Sequence, residues 1–171
     1  MMLQIHGRKF PYSLTVLVIN DDRCKIRAYF TGYPGSTHDN RLWRNMKQNK
    51  YADKYFSTSE YVLCDTAFEP SDICIPAYKT DVGFYQSIEK MKFNKAMSSP
   101  RVITEHTMGI WKGRIPWLRS IRMRITNDPE SMEIILRYID ATVVFHNMII
   151  EFGNEHDDGD DNWIDDEQLR M

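Results

Sequence analysis

The strongest constraint on the fold is the run Tyr12-Ser-Leu-Thr-Val-Leu-Val-Ile19, rich in β-branched and aromatic residues and stopped by the turn cluster Asn20-Asp21-Asp22-Arg23. Such a run satisfies its backbone as a strand, and short polar side chains favour reversal of the chain directly after it. Lys25-Ile-Arg-Ala-Tyr-Phe-Thr31 then alternates polar and apolar residues, which predicts a second strand returning as a hairpin and stopped by Gly32-Tyr33-Pro34-Gly35. An antiparallel start argues against a doubly wound nucleotide-binding fold, and no Gly-rich phosphate loop follows any strand.

Downstream, the pattern becomes mixed. Ser36 followed by Asp39 has capping-box spacing and predicts a helix to about Met46. Glu60-Tyr-Val-Leu-Cys64 reads as a short buried strand that delivers Asp65 at its C-terminal end, and residues 68–80 read as a loop. Helical spacing resumes near Phe84, and Ser98-Ser99-Pro100 predicts a helix start, with the helix spanning Arg101 to Lys112 and closed by Gly113. Asp128-Pro129-Glu130 opens a last helix to Gly153, with an apolar stripe at Met132, Leu136, Ile139, Val143, His146 and Ile150. A strand hairpin, a helix, a strand and further helices make an α/β order in one domain, and 171 residues suffice for one ordinary core.

Charge and cysteine usage narrow the class. Nine of the 24 carboxylates fall between Glu151 and Glu167, where there is no Lys or Arg, so the rest of the chain carries +7 although the whole carries −2. A basic body is compatible with a phosphate backbone as partner, and the acidic segment 154–171 reads as a disordered tail. The apolar runs are too short or interrupted to span a bilayer, so no membrane partner is expected. Cys24, Cys64 and Cys74 are odd in number and contain no C-x-x-C pair, which favours reduced thiols acting as small buried hydrophobes.

Two carboxylates stand out chemically. Asp65 follows a strand, and Glu105 lies one turn into the helix expected from Arg101. Brought together they suit Mg²⁺ or Mn²⁺, since hard cations take oxygen ligands. The spacing equally allows Asp65 as a turn residue and Glu105 in an i to i+4 ion pair with Arg101. Gly109 inside the helix suggests close approach of another backbone or of DNA, helix packing being the structural reading. Arg114, Arg119, Arg122 and Arg124, interleaved with Trp111 and Trp117, form either a phosphate-tracking surface or a segment whose aromatics pack inward. His146, on the apolar stripe, is expected to be buried and hydrogen-bonded.

Five segments occur in a characteristic order: Gly7-Arg-Lys9, Tyr33-Pro-Gly-Ser-Thr-His-Asp-Asn-Arg41, Leu63-Cys-Asp-Thr66, Thr104-Glu-His-Thr-Met-Gly-Ile-Trp-Lys-Gly-Arg114 and Val144-Phe-His-Asn-Met148. In this the chain resembles Harbinger-type transposases. The resemblance implies a ribonuclease-H-like mixed α/β sheet with flanking helices over residues 7–153, and a DDE endonuclease that uses Mg²⁺ or Mn²⁺ to cut DNA at transposon ends in the nucleus. It assigns Asp65 and Glu105 as catalytic metal ligands and gives Asp39 no first-carboxylate role. From the residues themselves, Asp39 either caps its helix or ligates metal, His38 and Arg41 either contact DNA or orient the same helix end, Lys112 either meets a phosphate near the metals or is a solvated surface lysine, and Arg114 belongs to the basic stretch just described. The family's first catalytic aspartate lies upstream of the Gly-Arg-Lys segment, whereas six non-acidic residues precede Gly7. The expectation is therefore an N-terminally truncated domain without its first central strand, a slot that Met1 to Ile5 fill at most in part, and inactive alone. The alternative is a domesticated, non-catalytic DNA- or protein-binding module. No helix-turn-helix or zinc module is apparent, so recognition of DNA ends would fall to a separate DNA-binding partner protein, and oligomerisation is compatible with either reading.

Overall fold

The computed structural model describes residues 2–6, 13–79, 87–119 and 129–155. Its architecture is mixed α/β. Strands β1 (Met2–His6), β2 (Ser13–Asn20) and β3 (Ile26–Pro34) form an antiparallel sheet in the order β1-β2-β3. Three short helices follow, α1 (Asp39–Asn45), α2 (Lys47–Lys50) and α3 (Ala52–Tyr55); then come the two-stranded parallel pair β4 (Val62–Cys64) and β5 (Cys74–Pro76), a long helix α4 (Ile88–Arg114), a 3₁₀ turn at Pro116–Arg119, and a second long helix α5 (Pro129–Glu155).

Central β2 is covered on both faces, which explains why its sequence is a continuous apolar run instead of an alternation. Leu14, Val16 and Val18 point into a core completed by Ile26 of β3, Met108 and Trp111 of α4, Leu118, and Ile135, Ile139 and Val143 of α5. Leu17 points the other way, to Leu42, Trp43, Met46, Cys64, Phe68 and Cys74. The sheet is thus sandwiched between the long helices on one side and the α1/β4/β5 unit on the other.

The hairpin turn is built as its residues demand. Asp21 Oδ1 accepts from the backbone N–H of Arg23 (3.1 Å) and Lys25 (2.9 Å), and Cys24 adopts φ +60° before a register shift at Asn20/Ile26. A left-handed residue beside a shift of this kind sets the strand twist. β3 runs three residues past the expected stop because Gly32 takes φ +98°, which bends the strand without ending it. Gly35 then lies so close to β2 that a Cβ there would fall 1.8 Å from Ser13 Oγ.

Several expectations are corrected. The capping box at Ser36 does not form: the 34–37 turn (Thr37 N to Pro34 O, 2.9 Å) delays the helix, His38 is the N-cap without a side-chain cap bond, and Asp39 is the first helical residue, facing the positive end of the helix dipole. The 68–80 loop contains β5, because Cys74–Pro76 finds β4 as a partner distant in sequence. β4 is shorter than Glu60–Cys64, and only Cys64 of it is buried.

The helix expected to begin at Pro100 instead runs through it from Ile88. Proline in a helix interior costs about 3 kcal/mol, and this one is tolerated because the preceding half is anchored independently. Asn94 donates to Tyr78 O (3.0 Å) and accepts from Tyr78 N (2.9 Å), Met97 is buried, and Ser87 Oγ caps Lys90 N (3.4 Å). Within α4, Gly109 is exposed and a Cβ there would meet nothing within 4 Å, so among the described residues no other backbone approaches it. α5 continues to Glu155, two residues into the segment expected to be tail; residues 156–171 lie outside the described residues. Among the described residues no helix is long and apolar enough to cross a membrane.

α5 docks through three polar side chains. His146 is buried, and its Nε2–H donates to Cys24 O (2.8 Å), leaving Nδ1 without a partner. Asn147 Oδ1 accepts from Ile26 N and its Nδ2 donates to Ile26 O, both at 2.8 Å, so one side chain supplies both bonds of a missing strand neighbour. Tyr29 donates its hydroxyl proton to Asp140; burial and that bond push the phenol well above its ordinary range.

Burial, assisted by the charge of Arg114 and opposed by the Cys24 bond, holds the His146 pKa below the ordinary 6.5. Below that value the unfolded chain binds the proton that the folded chain refuses. The contribution of neutral His146 is therefore complete above about pH 6.5 and is lost as pH falls from there toward the folded pKa. The melting temperature should drop between pH 7.5 and 5.5. In His146→Gln, which keeps a donor for Cys24 O, that decline should be smaller; an equal decline would exclude His146 as its source.

Candidate functional site

Asp65 stands one residue beyond β4, where the chain turns. Its Oδ1 accepts from Thr66 N (2.7 Å), its carbonyl accepts from Phe68 N (3.1 Å), and Phe68 drives the turn into the core beneath. The turn is clamped from α1: Asn40 donates to Ala67 O (3.1 Å) and accepts from Glu69 N (2.9 Å), while Arg44 pairs with Glu69 at 2.6 Å. The His38-Asp39-Asn40-Arg41 segment is therefore seated on the Asp65 turn. Nothing in the sequence marks Asn40 for this, because its partners are backbone groups 27 and 29 residues away.

Asp39 and Asp65 are electrostatic neighbours. Partial burial raises the Asp39 pKa most, and the negative charge of Asp65 raises it further, against the opposing influence of His38. His38 and Arg41 are themselves exposed, and only their backbones meet, at the first turn of α1.

From the other side, α4 presents Arg101, whose Nη1 lies 3.8 Å from Asp65 Oδ1. Both side chains are about half exposed, so the pair adds at most a few tenths of a kcal/mol or so. Its value is positional. Arg101 turns to Asp65 and forms no ion pair with Glu105 among the described residues, which sets aside the within-helix pairing that the spacing allowed. Glu105 lies exposed four residues on, about 6 Å along the same helix face.

A cleft of about 700 Å³ opens between β4, the hairpin turn and α4, lined among others by Asp65, Arg101, Thr104, Asp22, Arg27 and Tyr61. Glu105 is outside that lining. Among the described residues no group of three or more His, Cys, Asp or Glu side chains converges as a metal site, so these carboxylates, as placed, do not make a complete ligand set.

The remaining candidates lie further along α4. Lys112 is partly buried, and burial together with the nearby Arg119 charge lowers its pKa. Arg114 is exposed as the last residue of α4. Trp111 is fully buried and Trp117 packs against the core and Tyr138, so both aromatics face inward and do not form a base-stacking surface; Arg122 and Arg124 lie outside the described residues. Cys64 and Cys74 meet across β4 and β5 with sulfurs 2.6 Å apart in the core, as free thiols.

A family model described as DDE superfamily endonuclease matches residues 4–147. No curated protein and no solved structure matches the chain. The family match takes in β1 from Gln4 onward, the whole of β2 and β3, the Asp65 turn, the whole of α4 and α5 as far as Asn147. The chain accordingly belongs to the DDE superfamily endonucleases.

Proposed function

We propose that this is a transposase-derived domain of Harbinger type and ribonuclease-H-like fold that engages DNA along the cleft beside Asp65, with Asp65 and Glu105 as its catalytic carboxylates, inactive alone. The observation that carries this reading is the approach of α4 to the Asp65 turn, where Arg101 touches the carboxylate and Glu105 follows one turn later. A carboxylate at a strand end facing a carboxylate-bearing helix is what binding of a hard cation needs. Mg²⁺ or Mn²⁺, when bound, supplies activation of water against a phosphodiester. The described carboxylates fall short of a three-ligand group, and no cleavage step is derived from them.

This chain's own residues have narrower tasks. Asn40 and Phe68 hold the turn that carries Asp65. Arg101 neutralises Asp65 and is positioned to receive a phosphate. Lys112 and Arg114 extend positive charge along α4, and His38 and Arg41 are exposed at the first turn of α1. The domain would act in the nucleus, and a separate DNA-binding protein would bring it to a particular sequence.

A second reading, a domesticated binding module without cleavage, is favoured by the Arg101–Asp65 pair itself, since a guanidinium there competes with any cation. Calorimetric titration with Mn²⁺ separates the two. On the first reading the folded chain binds Mn²⁺, Asp65→Ala/Glu105→Ala abolishes binding, and Arg101→Gln tightens it several-fold by freeing the carboxylate. Absence of Mn²⁺ binding in both wild type and Arg101→Gln, with duplex DNA still bound in chelator, would establish the second reading and remove the metal site.

A further inference from the structure

α5 carries two apolar faces, and among the described residues only one is buried by the fold. Ile135, Ile139, Val143 and His146 are buried against the sheet and α4. On another face Ile134, Tyr138, Ala141, Phe145, Met148 and Phe152 recur at intervals of 4, 3, 4, 3 and 4, and all six are exposed, the five large ones by 43% to 57%. Intervals that alternate between 4 and 3 residues over more than two heptads are the pattern of a helix that packs along a second helix. A monomer's surface leaves large apolar side chains scattered singly, whereas this stripe runs most of the length of a 27-residue helix.

We propose that this stripe is a self-association surface, in which α5 of one chain packs antiparallel on α5 of a second copy about a two-fold axis at the level of residue 143. The pattern is self-complementary in that register. Ile134 falls opposite Phe152 of the second copy, Tyr138 opposite Met148, and Ala141 opposite Phe145, so every stripe position meets a stripe position and the smallest residue meets one of the largest. A two-fold interface uses the same patch twice and requires this reciprocity.

The area is adequate. Phe145, Phe152 and Tyr138 each offer roughly half of ~150–250 Å², and with Ile134, Val144 and Met148 two copies hide on the order of 1,000 Å² in total, the lower bound for a specific interface. Tyr138 is already held by Trp117, with ring centroids 5.3 Å apart, so little side-chain freedom is lost there. The cleft beside Asp65 is lined by other elements, and the proposal stands independently of the function proposed for it.

Sedimentation equilibrium of the full chain over micromolar concentrations tests this. The expected result is a monomer–dimer equilibrium, weakened at least tenfold by Phe145→Glu and by Met148→Glu, with helical circular dichroism unchanged. A second measurement does not depend on those variants folding: Val144→Cys, beside the axis, should form an intermolecular disulfide under glutathione disulfide, and Ile134→Cys, far from its own symmetry mate, should not. A wild-type chain that is monomeric throughout, a dimer indifferent to both glutamate substitutions, or equal cross-linking at both positions would each overturn the proposal.

Discussion

Replacing Asn147 by leucine should lower the free energy of unfolding by about 2–4 kcal/mol, although leucine fills a similar volume and suits a helix better. The amide makes two 2.8 Å bonds to the N–H and C=O of Ile26, the residue at which β3 begins and whose side chain is buried in the core. A leucine offers neither a donor nor an acceptor, and backbone groups buried without partners each cost about 1–3 kcal/mol. Asn147→Asp should not rescue the loss. Its carboxylate can still accept from Ile26 N–H but faces Ile26 O with no proton to give. Urea unfolding of both variants measures this, and amide exchange at Ile26 should quicken in each. A cost below about 0.5 kcal/mol, the range of neutral surface changes, would mean that α5 does not dock on β3 in this register.

Trp111→Ala should cost about 3–5 kcal/mol, the range for removing a large buried aromatic. Trp111 is fully buried among residues of β2, α4 and α5, and its indole N–H donates to Thr142 O at 3.3 Å. It is thus the side chain through which α4, the helix that carries Arg101 and Glu105, meets α5. Trp111→Phe should cost clearly less, because much of the volume remains and one hydrogen bond is lost. If Trp111→Ala also weakens Mn²⁺ or DNA binding while the chain stays folded, the placement of α4 against the Asp65 turn depends on this contact. A loss of stability under about 1 kcal/mol would mean that Trp111 is not in the core.

The sequence suggested the roles of two adjacent residues of α5 unequally. Histidine 146 sits on a recognisable apolar stripe, so its burial was legible; its neighbour Asn147 breaks the stripe and looks like any surface amide. What makes it structural is a backbone pair 121 residues away. The same applies to Asn40 and the 67–69 turn, and to Asn94 and Tyr78. A short amide can imitate a strand neighbour, and nothing local in the sequence records which distant strand it imitates.

Of the candidate site, the placement of Asp65 at a strand end was legible because a short apolar run ends in an acidic residue, and that of Glu105 within a helix because Ser98-Ser99-Pro100 signals one, whereas their pairing as metal ligands came only from the family resemblance. Their surroundings were not. That Arg101 would turn to Asp65 instead of Glu105, that Asp39 would share the field of Asp65, and that Glu105 would lie outside the cleft all depend on how α4 crosses β4. Likewise the two sulfurs of Cys64 and Cys74 meet only because β4 and β5 pair in parallel.

Taken by itself, the sequence determined the β2–β3 hairpin, the existence of the long C-terminal helix and the mixed α/β class, because turn chemistry and side-chain period act over a few residues. Only the tertiary structure decided that helix α4 runs through Pro100, that Cys74–Pro76 is a strand, and which groups face Asp65. Each of those outcomes sets a local preference, such as the helix-breaking cost of proline, against anchors supplied from elsewhere in the chain, and the anchors become available only when the chain is folded.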